Sequence, residues 1–186
     1  MTPVYYSAKI MLSKLTLFID TERRGYKMDN NIMKKASESC VEQVYQIRPE
    51  HLNGAGRLFG GRLMEWIDEV AGLVGIRHSH CNVITASVDN LKFIRGVFQN
   101  DLVVLIGNVT YVGNTSMEIR VDTYVEKLDG TRYPVNRAYL TLVAVDENGQ
   151  PTKVPGLLIE SIGQQAEWEA GQKRKQLRIQ RKVEGF

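Results

Sequence analysis

Four long β-rich segments follow one another in the second half of the chain, with only short turns between them. After His80, apolar and polar residues alternate with a period of two, as in strands that bury one face. The segments cover 83–98, 102–112, 116–128 and 134–146, and Gly, Asn and Asp residues separate them. Because consecutive strands joined by short turns run antiparallel, this pattern predicts an antiparallel sheet.

One long helix is predicted directly before this sheet, from about Gly61 to Arg77. Its apolar face consists of residues at helical spacing: Leu63, Ile67, Val70 and Val74. Gly72 and Gly75 are interpreted as points where the helix packs closely against the sheet. With an earlier strand over 41–48, the chain predicts an α+β fold in which one helix packs on one curved sheet. The edges of such a sheet favour a dimer.

Composition excludes several classes of protein. The chain has 186 residues, which suffices for one domain with a core that needs no disulfides. Its two cysteines are far apart, which favours a reducing, cytoplasmic setting. The net charge of +3 gives no indication of a nucleic-acid partner, and the longest apolar run is too short to span a membrane.

Three regions are expected along the chain. Residues 1–36 form an N-terminal extension that differs in character from the rest, and Met28 and Met33 are candidate native start sites. Residues 37–162 form the folded domain. Residues 163–186 form a basic, helical tail, which is either a solvated helix or frayed end or an attractive surface for polyphosphate ligands.

A glycine-rich loop leads into the predicted helix and contains Asn53, Gly54, Gly56, Gly60 and Gly61. Amides at a helix N-terminus carry the positive end of the helix dipole. A carbonyl oxygen placed against Gly60 and Gly61 would be polarised as in an oxyanion hole, and Asn53 would orient the same carbonyl or a water. The alternative is a tight loop with Asn in a turn.

Asp68 lies at the flank of the apolar helix face, where partial desolvation is expected to raise its pKa. A raised pKa suits a general base or a nucleophile, and the sequence leaves both roles open. The alternative is a structural ion pair across a dimer interface. Asp68 is about 10 Å along the helix axis from Gly61. The loop and the carboxylate of one chain therefore cannot easily reach one bond, and the spacing predicts a site between two antiparallel helices.

Further polar residues lie on the strands. Thr85 and Ser87 lie on the strand after the helix, and the turn between two later strands consists of Gly113, Asn114, Thr115 and Ser116. His78, His80 and Cys81 are closely spaced, but no further ligand completes a metal site, so none is expected.

Four motifs in this order resemble the hotdog-fold acyl-CoA thioesterases of the cytosolic acyl-CoA hydrolase type. They are NGAGRLFGGRLMEWIDEVAG, ITASVDNLKF, VGNTSMEIRV and AYLTLVAVDENGQPTKVP. The resemblance covers about 42–155. It implies a long central helix wrapped by an antiparallel sheet, and dimers with one continuous sheet that assemble into hexamers as trimers of dimers. It also implies hydrolysis of acyl-CoA to a free fatty acid and coenzyme A, with no metal, no further cofactor, and no nucleic-acid or membrane partner.

The resemblance also implies roles for individual residues. Asp68 matches the catalytic Asp, and Asn53 matches an Asn that acts from the partner subunit. Thr85 and Ser87 match a Thr-x-Ser motif and are expected to bind the substrate, and Gly113 to Ser116 match a turn near the CoA nucleotide and are expected to bind that part of it. Arg95 stands near a position where the family often has Pro, and is expected to reach a CoA phosphate.

Two other functions stay open from the sequence. One is a non-catalytic hotdog module that binds acyl-CoA as a regulator, with the basic tail as an effector arm. The other is a hotdog dehydratase, for which His51 near the glycine loop would be the catalytic residue. Acyl-chain length is expected to depend on a tunnel between helix and sheet, limited by Phe59, Met64 and Trp66.

Overall fold

The computed structural model describes residues 32–89 and 91–185. These residues contain seven strands and two long helices. In chain order they are β1 (Met33–Lys35), β2 (Val41–Gln46), α1 (Gly60–Ser79), β3 (Asn82–Asp89), β4 (Leu102–Val112), β5 (Ser116–Glu126), β6 (Arg132–Val145), β7 (Gly156–Leu158) and α2 (Ile162–Glu184). Short 3-10 helices precede β2 and α1, at Ala36–Glu38 and Pro49–His51. Met28 and most of the N-terminal extension lie outside the described residues.

Five strands form an antiparallel sheet in the order β2-β4-β5-β6-β3. Helix α1 contacts all five of these strands, so the sheet wraps around it. A Cβ at Gly107 of β4 would lie 2.7 Å from carbons of both Val70 and Val74. Glycine is needed there because the helix touches the sheet backbone. The predicted α+β fold with a central helix is confirmed.

The sheet differs from the prediction at β3. The predicted strand over 83–98 is wrong beyond Asp89, where the regular ladder with β6 ends. Residues 91–98 still lie beside β6, because Ile94 N donates to Val135 O at 2.9 Å and Asn136 Nδ2 donates to Lys92 O at 2.7 Å. The period-two pattern therefore continues into an irregular segment.

Helix α1 begins one residue earlier and ends two residues later than predicted. It stops at His80, which adopts a left-handed conformation with φ 55°. A Cβ at Gly75 would lie 3.1 Å from Leu142, so the prediction of close packing is right at this position. The same prediction is wrong for Gly72, which has no neighbour within 4 Å among the described residues and belongs to the open face of the helix.

The two ends of the described chain also extend the fold. Strand β1 pairs in parallel with β7, so the folded unit begins before the boundary at residue 37. Helix α2 docks one face on the outer side of the sheet, while most of its residues stay exposed. A Cβ at Gly171 would lie 2.6 Å from Cβ of Tyr111, and Arg174 makes two hydrogen bonds to the buried carboxylate of Glu118.

His78 is fully buried near the end of α1. Its Nε2 lies 3.1 Å from the carbonyl oxygen of Pro155, and its Nδ1 lies 3.0 Å from Oγ of Ser39. Because a carbonyl can only accept, Nε2 carries the proton and Nδ1 accepts from the Ser39 hydroxyl. Burial lowers the pKa of His78 to about 4. The neutral ring thus joins α1 to the segments before β2 and β7.

We expect His78 to make stability depend on pH. Between pH 6.5 and about 4 the unfolded chain binds a proton that the folded chain excludes, so the free energy of unfolding falls as pH falls through this window. The loss should reach about 3 kcal/mol. Denaturant unfolding of the wild type and His78→Gln at several pH values tests this. The difference in stability between them should shrink toward pH 4, and parallel curves would contradict the assignment.

Candidate active site

Asp68 and Thr85 form a direct pair between α1 and β3. The Thr85 hydroxyl donates to Oδ1 of Asp68 at 2.7 Å. The pairing of β3 with β6 shifts between Thr85 and Ser87, which marks a bulge at this point of the strand. Asp68 is exposed in the single chain, so the desolvation expected from the sequence is not provided by its own chain. The carboxylate is nevertheless fixed in direction by Thr85.

Hydrogen bonds of Asn53 stabilise the loop in which it lies. Its Oδ1 accepts hydrogen bonds from the amides of Ala55 at 2.9 Å and Arg57 at 3.2 Å, and its amide donates to Arg57 O at 2.8 Å. Gly56 completes the loop with φ +70°. The turn interpretation of Asn53 therefore holds. Its Nδ2 has no hydrogen-bond partner among the described residues, so this group stays available to donate.

The amides of Gly60 and Gly61 are also available at the start of α1. The nearest helical acceptor, Phe59 O, is bonded to the amides of Arg62 and Leu63 at 3.0 and 3.2 Å. Within the described part of the chain, no acceptor faces the two glycine amides. The Phe59 ring lies against Gly61, since a Cβ there would be 2.5 Å from the ring. A larger residue at this position would displace that ring.

A cleft of about 370 Å³ opens beside these amides. Its polar lining includes Asn53 and Arg95, and its apolar lining includes Leu63, Phe93 and Val97. The guanidinium of Arg95 lies 5.1 Å from the ring centre of Tyr133. Asp68 is not among the residues that line the cleft. One chain thus presents the Asn53 loop and the Asp68–Thr85 pair as two separate groups.

Backbone hydrogen bonds fix the conformation of the turn from Gly113 to Ser116. Gly113 N donates to Ser116 O at 2.7 Å, and the carbonyls of Asn114 and Thr115 accept from Val154 and Ala144. The side chains of Asn114, Thr115 and Ser116 make no hydrogen bond to the residues that the structure describes. They are therefore free to meet a ligand.

Ser87 does not join the Asp68–Thr85 pair. Its Oγ is buried and has no hydrogen-bond partner in residues 32–89 and 91–185. The same described residues contain no group of three or more side chains suited to a metal ion, and no helix long and apolar enough to cross a membrane. His51, the residue of the dehydratase alternative, accepts from the Arg48 amide and packs edge-on against Trp66.

Comparison with known proteins gives the family. The model of the thioesterase superfamily matches residues 55–130. An uncharacterized acyl-CoA thioester hydrolase of Bacillus subtilis is 38% identical over 125 residues, covering 67% of this chain and 73% of that protein. The cytosolic acyl coenzyme A thioester hydrolase of Rattus norvegicus is 32% identical over 142 residues, covering 74% of this chain. The aligned region spans 37% of the length of this rat relative.

Solved structures agree with these relatives. An acyl-CoA hydrolase from Staphylococcus aureus, in complex with butyryl coenzyme A, coenzyme A and coenzyme A disulfide, has a TM-score of 0.78 at 31% identity, covering 82% of this chain and 94% of that chain. A hexameric acyl-CoA thioesterase in its apo form has a TM-score of 0.77 at 33% identity, covering 81% of this chain and 97% of that one.

Further structures of the Staphylococcus aureus protein carry a single alanine in place of an Asn, an Asp or a Thr. In that protein the Asp follows the Asn by 15 residues and the Thr follows the Asp by 17, the same spacings that separate Asn53, Asp68 and Thr85. The matches confirm the resemblance found in the sequence. The chain therefore belongs to the thioesterase superfamily and has the hotdog fold of its acyl-CoA thioester hydrolases.

Proposed function

We propose that this chain hydrolyses acyl-CoA thioesters to a free acid and coenzyme A, with Asp68 as the catalytic carboxylate. The hydrogen bond from Thr85 to Asp68 is the observation that carries this proposal. The second carboxylate oxygen of Asp68 has no hydrogen-bond partner among the described residues. The matching Asn, Asp and Thr spacings in the Staphylococcus aureus hydrolase support it independently.

The complete site is proposed to lie between two chains. Asn53 and Gly60 line a cleft that does not include Asp68, so one chain alone leaves both groups incomplete. The open face of α1 and the edge strand β3 expose large apolar side chains: Met64, Ile76, Ile84 and Val88. A second copy packed there would cover this surface and desolvate Asp68. The open position at Gly72 would let two helices approach closely.

In the proposed reaction, the thioester carbonyl oxygen accepts from the free amides of Gly60 and Gly61. The Nδ2 group of Asn53 holds the same oxygen or the attacking water. Asp68 of the other chain has two possible roles. As a general base it takes a proton from a water molecule while that water attacks the carbonyl carbon. As a nucleophile it attacks the carbonyl carbon directly. The carbon–sulfur bond then breaks, and the coenzyme A thiolate leaves and is protonated. In the second route the acyl group remains on Asp68 as an anhydride, and water hydrolyses this anhydride to the free acid and the regenerated carboxylate. We expect no metal and no further cofactor, since the helix N-terminus polarises the carbonyl.

Substrate binding is proposed to use the polar residues around these groups. Arg95 and the turn from Gly113 to Ser116 would hold the CoA portion, with Thr85 orienting Asp68 and Ser87 supporting the strand beside it. Assembly into dimers and then hexamers is proposed on the strength of the hexameric neighbour. A cytoplasmic location is proposed because the rat relative is named cytosolic.

A thiol-release assay over acyl-CoAs of increasing chain length tests the proposed function. We expect coenzyme A to appear at one equivalent per free acid, with a chain-length optimum set by the cleft beside Phe93. Binding of coenzyme A by calorimetry, without any release of thiol from any acyl-CoA, would instead support the non-catalytic regulator.

A further inference from the structure

The three arginines of α2 and its half-buried lysine, Lys175, have different surroundings. Arg174 bonds to both oxygens of Glu118, and Arg178 and Arg181 bond to the two oxygens of Asp89. These arginines neutralise carboxylates on the outer face of the sheet. Lys175 is different. It is half-buried, and none of the described residues forms an ion pair with it.

Lys175 lies over the turn between β4 and β5. Its Nζ is 3.2 Å from the position that a Cβ on Gly113 would occupy, and Oγ of Ser116 is 3.1 Å from the same position. The ammonium also lies 5.4 Å from the ring centre of Tyr111, within the range of a cation–π contact. Because Gly113 has no side chain, the ammonium of Lys175 and the hydroxyl of Ser116 both approach the same point of the turn.

Among the residues that the structure describes, no carboxylate forms an ion pair that would neutralise the charge of Lys175. Glu118, on the strand that follows the turn, is 1% exposed and is already bonded to Arg174 and to the hydroxyl of Thr110. Lys175 therefore keeps its attraction for an external anion. A lysine beside free hydroxyl and amide side chains is suited to a phosphate group.

The turn also lies close enough to the Asp68–Thr85 pair for one extended ligand to reach both. Ser116 pairs with Val143 of β6, and Val143 pairs with Ile84 of β3, directly before Thr85. Two strand spacings amount to about 10 Å. An extended ligand can therefore have one end at the turn and its reactive bond near Thr85.

We propose that Lys175, supplied by α2, binds a phosphate group at the nucleotide end of acyl-CoA. The inference rests on the proposed function and adds to it a binding residue outside the segment that the family model matches. Either the 3′-phosphate or the pyrophosphate of coenzyme A can provide the group, because both present the same anionic oxygens.

Lys175→Met tests this, since it keeps the apolar stem and removes the charge. We expect KM for acyl-CoA to rise about tenfold, equivalent to about 1.4 kcal/mol, with kcat unchanged. The KM for the matching acyl-pantetheine, which lacks the nucleotide, should not change. Lys175→Arg should restore most of the affinity, and Lys173→Met, at an exposed position two residues earlier on α2, should behave as wild type.

An acyl-3′-dephospho-CoA separates the two phosphate sources. If the variant and the wild type have equal KM for it, the partner is the 3′-phosphate; if their difference persists, the partner is the pyrophosphate. An unchanged KM for acyl-CoA, or an equal rise for acyl-pantetheine, would overturn the proposal. If the wild type releases no thiol, the proposed function fails, and calorimetric binding of coenzyme A to the same variants still tests Lys175.

Discussion

Replacing Asp68 by Ala should lower kcat for acyl-CoA hydrolysis by about a thousandfold, which is the effect of losing a positioned general base or nucleophile. Binding of coenzyme A should change little, because the cleft and the Gly113–Ser116 turn do not include Asp68. Thiol release under saturating substrate measures the first quantity, and calorimetry measures the second.

Glu65→Ala is the matched control for this change. Glu65 is exposed on the same helix, less than one turn before Asp68, and its carboxylate is paired with Arg62 at 2.6 Å. Removing it takes away the same charge without touching the proposed chemistry, so kcat should stay within about twofold of wild type. An active Asp68→Ala protein, or equal losses in both variants, would remove Asp68 from the mechanism.

Replacing Thr85 should give a second, smaller effect on kcat for acyl-CoA hydrolysis. In Thr85→Val the shape of the side chain is kept, but the hydrogen bond to Asp68 is lost. Because Thr85 acts through the carboxylate, we expect kcat to fall about tenfold and KM to stay constant, which corresponds to one hydrogen bond to a charged group. Thr85→Ser keeps the hydroxyl and should recover most of the rate. A rise in KM alone would assign Thr85 to substrate binding.

The central helix and its sheet were predictable because their patterns are local. Ile67, Val70 and Val74 recur at helical spacing, and the turn at Gly113 separates two strands whose ends beside the turn, Val112 and Ser116, match the prediction. The irregular segment 91–98 was not predictable, because its apolar residues continue the alternation of β3 while its backbone leaves the ladder. Periodicity reports which side chains are buried, and it does not report where hydrogen bonding stops.

The docking of α2 on the sheet could not be predicted from the sequence, for a different reason. Helix α2 is strongly charged, which is typical of a solvated tail, yet its arginines pair with Glu118 and Asp89 about 60 to 90 residues earlier in the chain. Buried His78 likewise depends on Ser39 and Pro155, which come from distant segments. A single sequence contains no signal for such pairings, since each partner is ordinary in its local context.

The proposed site between two chains predicts complementation between inactive variants. Asn53→Ala and Asp68→Ala should each be nearly inactive alone, because every site then lacks one group. When the two are co-expressed with different tags, a mixed dimer holds one site with both groups intact and one site with neither. Random pairing should then recover about a quarter of wild-type activity, whether or not the dimers assemble further.

Co-expression of the wild type with the double variant Asn53→Ala/Asp68→Ala gives the converse result. If the groups act across the interface, both sites of a mixed dimer are defective, and activity should fall to about a quarter of wild type. If both groups act within one chain, each mixed dimer keeps one site and activity should be about half. In that case the two single variants should show no recovery together. Thiol release by the whole co-expressed mixture, with the two tags used to verify equal amounts of the two chains, therefore decides whether the dimer is the unit of catalysis.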